Sequence, residues 1–176
     1  MAVFDKLKQY LRRHTANGIV LAFAGGTTGA LLLAVLESLL AEACFPVMAL
    51  TIHSIFSNPE ELEGLRIAAA EAGVRLKLLA SDPIAIQGLK CEPQSRLCRH
   101  REYIFPELLV YAADNSLNTI IEGTTADSYD SACSCNYTLV KSRVCSPLVE
   151  LGITRSEVEE LVKQLGLKSP AVVELP

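Results

Sequence analysis

No stretch of this chain is apolar for long enough to cross a bilayer. The longest apolar run, from Ala30, meets Glu37 and Glu42, well short of the ~20 residues a spanning helix needs. The start, Ala2-Val3-Phe4-Asp5-Lys6-Leu7, carries an acid and lacks the apolar core of a secretory signal. Positive charge is not in surplus either. Lys+Arg total 16 against Asp+Glu 20, a formal net charge of -4, which argues against broad nucleic-acid binding. Internal repeats and low-complexity segments are absent. Together these absences predict a cytoplasmic protein with no membrane partner. In that compartment the six cysteines do not read as a disulfide framework. Nothing divides the 176 residues, of which half are hydrophobic, so we expect one globular domain over 1–176 with a real core.

What the sequence does carry is a strand, a glycine-rich turn and a helix start in immediate succession. They are Val20-Leu21-Ala22-Phe23-Ala24-Gly25-Gly26-Thr27-Thr28-Gly29-Ala30, then Leu31 to Leu36. Glycine lets a backbone turn tightly and approach a ligand closely. A helix start adds unpaired N–H groups and the positive end of a macrodipole. In that order they form a cradle for phosphate or another anion. The glycines are Gly25, Gly26 and Gly29, which is not GxGxxG, and no lysine follows as in a Walker-type loop. Two readings therefore stand side by side: an anion cradle, and a strand-to-helix turn that merely needs small residues.

Strands alternate with helices along the chain. Residues 3–14 form an amphipathic helix with Phe4, Leu7 and Leu11 on one side. Ile19 to Phe23 suits a central parallel strand, and the helix after the glycines is apolar on nearly every face. Cys44, at the end of that helix, reads as core. Pro46 to Ile52 is a second strand and delivers His53 and Ser54. Asn58-Pro59-Glu60-Glu61 starts a helix that Gly73 stops. Arg75 to Leu79 is a third strand. Residues 81–101 read as a loop or insert, and Tyr103 to Ala113 as a helix. Asn118 to Glu122 is a fourth strand, ending in Gly123-Thr124-Thr125, and 126–142 is polar and irregular. Arg143 to Leu148 is a short fifth strand. Thr154-Arg155-Ser156-Glu157 is a capping box whose helix Gly166 closes. The tail, Pro170 to Pro176, is free to pair at a sheet edge.

This alternation predicts an α/β fold, a doubly wound parallel five-stranded sheet with helices on both faces. Ligands in such folds sit at the carboxyl ends of strands, near a switch in strand order. Those ends carry Ala24 to Gly29, His53-Ser54, Ser81-Asp82 and Gly123 to Asp127. His53 reads more simply as a satisfied loop residue than as a nucleotide contact. Asp127 has two readings, a Mg²⁺ or ribose contact and a capping residue.

The glycine stretch resembles the PP-loop of the ATP pyrophosphatases, Ser-Gly-Gly-x-Asp-Ser. Glu122-Gly123-Thr124-Thr125-Ala126-Asp127 resembles the Asp-Gly-Thr-Asn-Ala-Asp segment of LarE-type sacrificial sulfur transferases. Cys145-Ser146-Pro147-Leu148, then Gly152-Ile153-Thr154, Glu157-Val158 and Leu165-Gly166-Leu167, resembles that family's Arg-Ser-Pro-Leu stretch and following helix. The resemblance implies a HUP-type (adenine nucleotide alpha hydrolase-like) fold that binds ATP with Mg²⁺, adenylates an acceptor, releases pyrophosphate and then transfers sulfur. It implies nucleotide contacts from Ala24, Gly25, Gly26, Thr27, Thr28, Gly29, Gly123, Thr124 and Asp127. Ala24 stands where the family has Ser, Thr28 where it has Asp and Gly29 where it has the final Ser. Backbone N–H groups survive those changes, but a carboxylate suited to Mg²⁺ is lost. The family's C-terminal region, which holds its sulfur-donating cysteine, has no counterpart in the sequence.

The remaining cysteines cluster in the second half. Cys91, Cys98 and His100 flank Arg96, Arg99 and Arg101. Arginine lowers a nearby thiol's pKa and attracts phosphate, so Arg96 and Arg99 are candidate phosphate or substrate contacts; the alternative is a solvated helix start. Cys98 and Cys145 are candidate sulfur carriers. Cys98, Cys133 and Cys135 are candidate ligands for an iron–sulfur cluster or zinc. Two functions follow: an ATP-dependent sulfur transferase, or a catalytically degenerate nucleotide- or metal-binding scaffold, in either case as a homo-oligomer or a partner subunit.

Overall fold

Strand β1 (Ile19–Ala22) is buried because it has a parallel neighbour on each side. The computed structural model describes residues 2–80, 96–129 and 143–173, with the backbone alone described over 96–103. On one side β1 pairs with β2 (Val47–His53), Ile19 opposite Val47. Beyond it lies β3 (Arg75–Ala80). On the other side β1 pairs with β4 (Thr119–Ile121), Ile19 opposite Thr119, and β5 (Val144–Cys145) follows. The order β3-β2-β1-β4-β5 is parallel throughout, as the alternating pattern predicts.

Helices cover both faces. One face carries α1 (Ala2–Arg12), α2 (Gly26–Leu40) and α3 (Pro59–Glu71). Leu7, Leu11, Leu31, Leu36 and Leu65 from these helices bury against Ile19, Leu21 and Ala49 of the sheet. The other face carries α4 (Arg96–Asp114), whose Phe105, Leu108 and Ala112 pack on Val20, Leu50 and Ile120. Two helices close the chain. They are α5 (Pro147–Glu150) and α6 (Arg155–Gln164), and Val158, Leu161 and Val162 of α6 join the first core. The caps behave as their residues require. Asn58 accepts from the Glu60 N–H at 2.9 Å, and Thr154 and Glu157 form the reciprocal box.

Four elements differ from expectation. Helix α4 starts at Arg96, not near Tyr103, because its charged first turns carry no apolar stripe to reveal them. Strand β5 is two residues long, since Pro147 is fixed in the first turn of α5. Cys44 is exposed rather than core, because α2 ends at Leu40 and the chain has already turned outward. Over its described residues, 170–173, the tail does not extend a sheet edge. Val173 donates its N–H to the Ala24 carbonyl and Gly26 donates to the Pro170 carbonyl, both at 2.9 Å. It crosses the glycine turn instead.

Candidate functional site

The strand order reverses at β1. The chain moves from β1 to β2 on one side, while β4 returns on the other. The connections leaving the carboxyl ends of β1 and β4 thus part and open a crevice. A cavity of about 500 Å³ occupies it, within the range of small-molecule sites.

Its floor is the glycine turn. Gly25 has φ 89° and ψ -157°, a region open essentially to glycine alone. Gly26 then begins α2, and no side chain caps that helix. The positive end of its dipole therefore lies at the crevice, where the Gly26 N–H is taken by the Pro170 carbonyl. Gly29 faces inward, where a Cβ would lie 2.8 Å from the Phe23 ring. A serine at this position requires Phe23 to move, so its absence is tied to the packing of a ring that is 2 % exposed. Thr51 donates its hydroxyl to the Phe23 carbonyl, fixing the end of β1 against β2.

The opposite wall is the turn after β4. The Thr28 Oγ1 lies 2.8 Å from where a Gly123 Cβ would be, so the two turns touch. Glu122, buried at the end of β4, organises this wall. Its Oε2 accepts from the Thr124 N–H at 3.0 Å and from the Thr124 hydroxyl, and its Oε1 accepts from the Ser146 hydroxyl. Arg155, at the start of α6, supplies positive charge to the lining. Its guanidinium bonds Glu159 at 3.0 Å on an exposed surface. Such exposed pairs are weak, on the order of 0–1 kcal/mol. Ile104, Phe105 and Leu108 of α4, with Leu50 and Ile52 of β2, make the apolar side. One end of the cavity is thus polar, with Arg155 and Glu122 as its charged residues, and the other apolar.

Solved structures share this fold, among them the following three. The U34-tRNA thiolase NcsA from Methanococcus maripaludis, with its [4Fe-4S] cluster, superposes with TM-score 0.68 at 16% identity, covering 99% of this chain and 65% of that one. The NH3-dependent NAD synthetase from Campylobacter jejuni subsp. jejuni, in complex with nitrate, gives 0.68 at 20% identity, covering 94% and 71%. The NMN synthetase from Francisella tularensis gives 0.64 at 17% identity, covering 95% and 69%. The chain spans a little under two thirds of the thiolase's length. No protein-family model and no curated protein matches the sequence. At these identities the likeness establishes the fold.

Of the residues singled out in the sequence, Ala24, Gly25, Thr28, Gly29, Gly123 and Thr124 line the cavity. Gly26 and Thr27 stand in the first turn of α2 beside it. Asp127 is drawn into capping. It accepts from the Arg155 N–H at 2.9 Å. The Thr125 hydroxyl and then that N–H hold its carboxyl below the usual carboxylate range. It thereby fixes Arg155 at the cavity edge. His53 ends β2 outside the lining.

Cys145 does not reach the cavity. Its half-buried thiol packs in the core beneath α1, beside the Tyr10 hydroxyl. Burial, then the Glu150 carboxylate, pushes that thiol up, against the Tyr10 hydrogen bond. Burial and a hydrogen bond to Glu150 push the Tyr10 phenol up as well. A thiol whose pKa is raised by burial is less readily the nucleophilic thiolate. Arg96, Cys98 and Arg99 lie on the first turns of α4, and their side chains fall outside the described residues. Cys91, Cys133, Cys135 and Asp130 also lie outside them. Among the described residues no cluster of three His, Cys, Asp or Glu side chains is placed to hold a metal, and no helix is long and apolar enough to cross a membrane.

Sequence reasoning missed Glu122, Arg155, Ser146 and the tail. Glu122 and Arg155 each sat inside a recognised signature, the turn and the capping box, and were read as its background. Ser146 likewise sat inside the Cys145-Ser146-Pro147-Leu148 stretch and was assigned no role there. The tail's role depends on a contact with residues almost 150 positions earlier, which no local pattern encodes.

Proposed function

We propose that this chain binds ATP in the 500 Å³ cavity, with the triphosphate over the start of α2 and the base toward the apolar side. The observation that carries this is convergence. A helix start that no side chain caps, the Gly123–Thr124 turn and Arg155 meet at one crevice, at the switch point of the sheet. The sequence resemblance to PP-loop proteins and the fold shared with a tRNA thiolase, a NAD synthetase and an NMN synthetase support the same reading.

The chemistry proposed is adenylation. An acceptor oxygen attacks the α-phosphorus, the bond from that phosphorus to the bridging oxygen breaks, and pyrophosphate leaves with the electron pair. Backbone N–H groups of the glycine turn and the Arg155 guanidinium would stabilise the charge gathering on the leaving group. Thr28 would orient the phosphates by hydroxyl donation, while the Thr124 hydroxyl stays on Glu122. A Mg²⁺ carried largely by phosphate and water needs one or two protein carboxylates, and Glu122 is the carboxylate lining the cavity. When bound, that ion supplies charge neutralisation of the phosphates.

Sulfur transfer is the finer reading. A cysteine thiolate would displace AMP from the activated carbon, and β-elimination, with loss of the cysteine α proton and cleavage of its Cβ–Sγ bond, would leave the sulfur on the acceptor and dehydroalanine in the chain. Cys98, on helix α4, is the carrier proposed in preference to Cys145, whose thiol packs beside Tyr10.

Calorimetric titration with ATP and AMP, with and without Mg²⁺, tests the binding reading, and a pyrophosphate-release assay with candidate carboxylate acceptors tests the chemistry. Binding with turnover supports the enzyme. Binding without turnover leaves a nucleotide-binding scaffold. Absence of heat with both nucleotides at millimolar concentration overturns the proposal.

A further inference from the structure

The tail contact has a consequence for the site. Residues 170–173 run across the glycine turn in the opposite direction, with Ala24 paired to Val173 and Gly26 to Pro170. The fit is close. A Cβ on Gly25 would lie 2.1 Å from the Ala171 carbonyl oxygen, and one on Gly26 would lie 3.1 Å from the Val172 Cγ2. The segment is anchored at both ends. Leu167 donates its N–H to the Val162 carbonyl at 3.0 Å and packs against the core. Val173 is 5 % exposed within that same core. Between the anchors, Lys168, Ser169, Ala171 and Val172 are exposed.

The Pro170 carbonyl therefore takes the N–H of the first residue of α2, and the Ala171 carbonyl lies against the turn. Carbonyl oxygens carry partial negative charge. At the positive end of a helix they occupy the electrostatic place of an anion's oxygens.

We infer that residues 170–173 are a strap that competes with phosphate for the glycine turn, so that a polyphosphate bound in the cavity displaces the strap from Gly26. The inference rests on the nucleotide reading and adds an autoinhibitory contact to it. Binding and strap release are then linked: the apparent affinity is the intrinsic affinity scaled by the fraction of molecules with the strap off. Val173 is the anchor whose loss shifts that fraction, and Val173→Ser weakens it without adding a charge that itself repels phosphate.

The test is titration of the full chain with inorganic pyrophosphate and with ATP, for wild type and Val173→Ser, with amide hydrogen exchange on the wild type. The expected result is tighter binding by the variant, about tenfold where about one wild-type molecule in ten has the strap off. In the wild type, the Val173 N–H, bonded to Ala24, is expected to lose protection as ligand saturates. Exchange on the wild type keeps the test valid where the variant does not fold. Saturable binding with Val173 protection unchanged or increased overturns the strap and leaves the nucleotide site standing. Absence of binding in both proteins overturns the nucleotide reading and the strap with it.

Discussion

Arg155 is an exposed residue by contact and a central one by position. It lines the cavity, its N–H is held by Asp127 and its guanidinium is bonded only weakly on the surface to Glu159. A hydrogen bond to a charged partner is worth about 1.5–3 kcal/mol. Arg155→Gln is therefore expected to weaken ATP binding by about tenfold or more, while the urea midpoint moves little. A matched loss of affinity and stability would show that the residue acts through the fold instead. Cys145 makes the converse case. Burial raises its thiol pKa, whereas Cys44 is exposed. In peptide-mapped alkylation near neutral pH, Cys44 should react well before Cys145. Faster labelling of Cys145 would restore it as a candidate nucleophile.

At the level of elements, the start of α6 joins the fold to the site. Thr154 accepts from the Glu157 N–H, and Glu157 accepts from the Thr154 N–H at 2.8 Å. Thr154→Ala is expected to cost about 1 kcal/mol in urea unfolding. It should also loosen Arg155, so ATP affinity falls with stability in this variant. The acids here set a pH dependence. The Thr154 N–H and hydroxyl hold the Glu157 carboxyl below the usual range, and Thr125 with the Arg155 N–H does the same for Asp127. A carboxyl depressed in the folded state stabilises above its unfolded pKa, and that contribution is lost as pH falls through the folded value. The melting temperature should thus be flat near neutrality and fall on acidification below about pH 4. A rise there would contradict these assignments. Capping boxes, the glycine stop at Gly73 and the apolar strands were legible because each is a local pattern. The start of α4 was not, since its first turns carry charge in place of an apolar stripe. Strand β5 was overlong because its apolar residues continue into α5, where only Pro147 marks the change.

Over the whole molecule, the site is assembled by topology. Alternating strands and helices imply a parallel sheet with its ligand at the carboxyl edge, so the meeting of the glycine turn with Gly123 and Thr124 was readable from sequence. The strap was not, because it depends on two backbone bonds joining the first and last parts of the described chain. Nor was the placement of Cys145, since β5 orients its thiol toward α1 and away from the cavity. The most direct measurement of the central claim is an amide NMR titration of the full chain with ATP. The account expects saturable shifts at Gly25 to Gly29, Gly123, Thr124 and Arg155. Shifts gathered elsewhere, such as the hollow lined by Arg12, Glu42 and Cys44, or none at millimolar nucleotide, would contradict it.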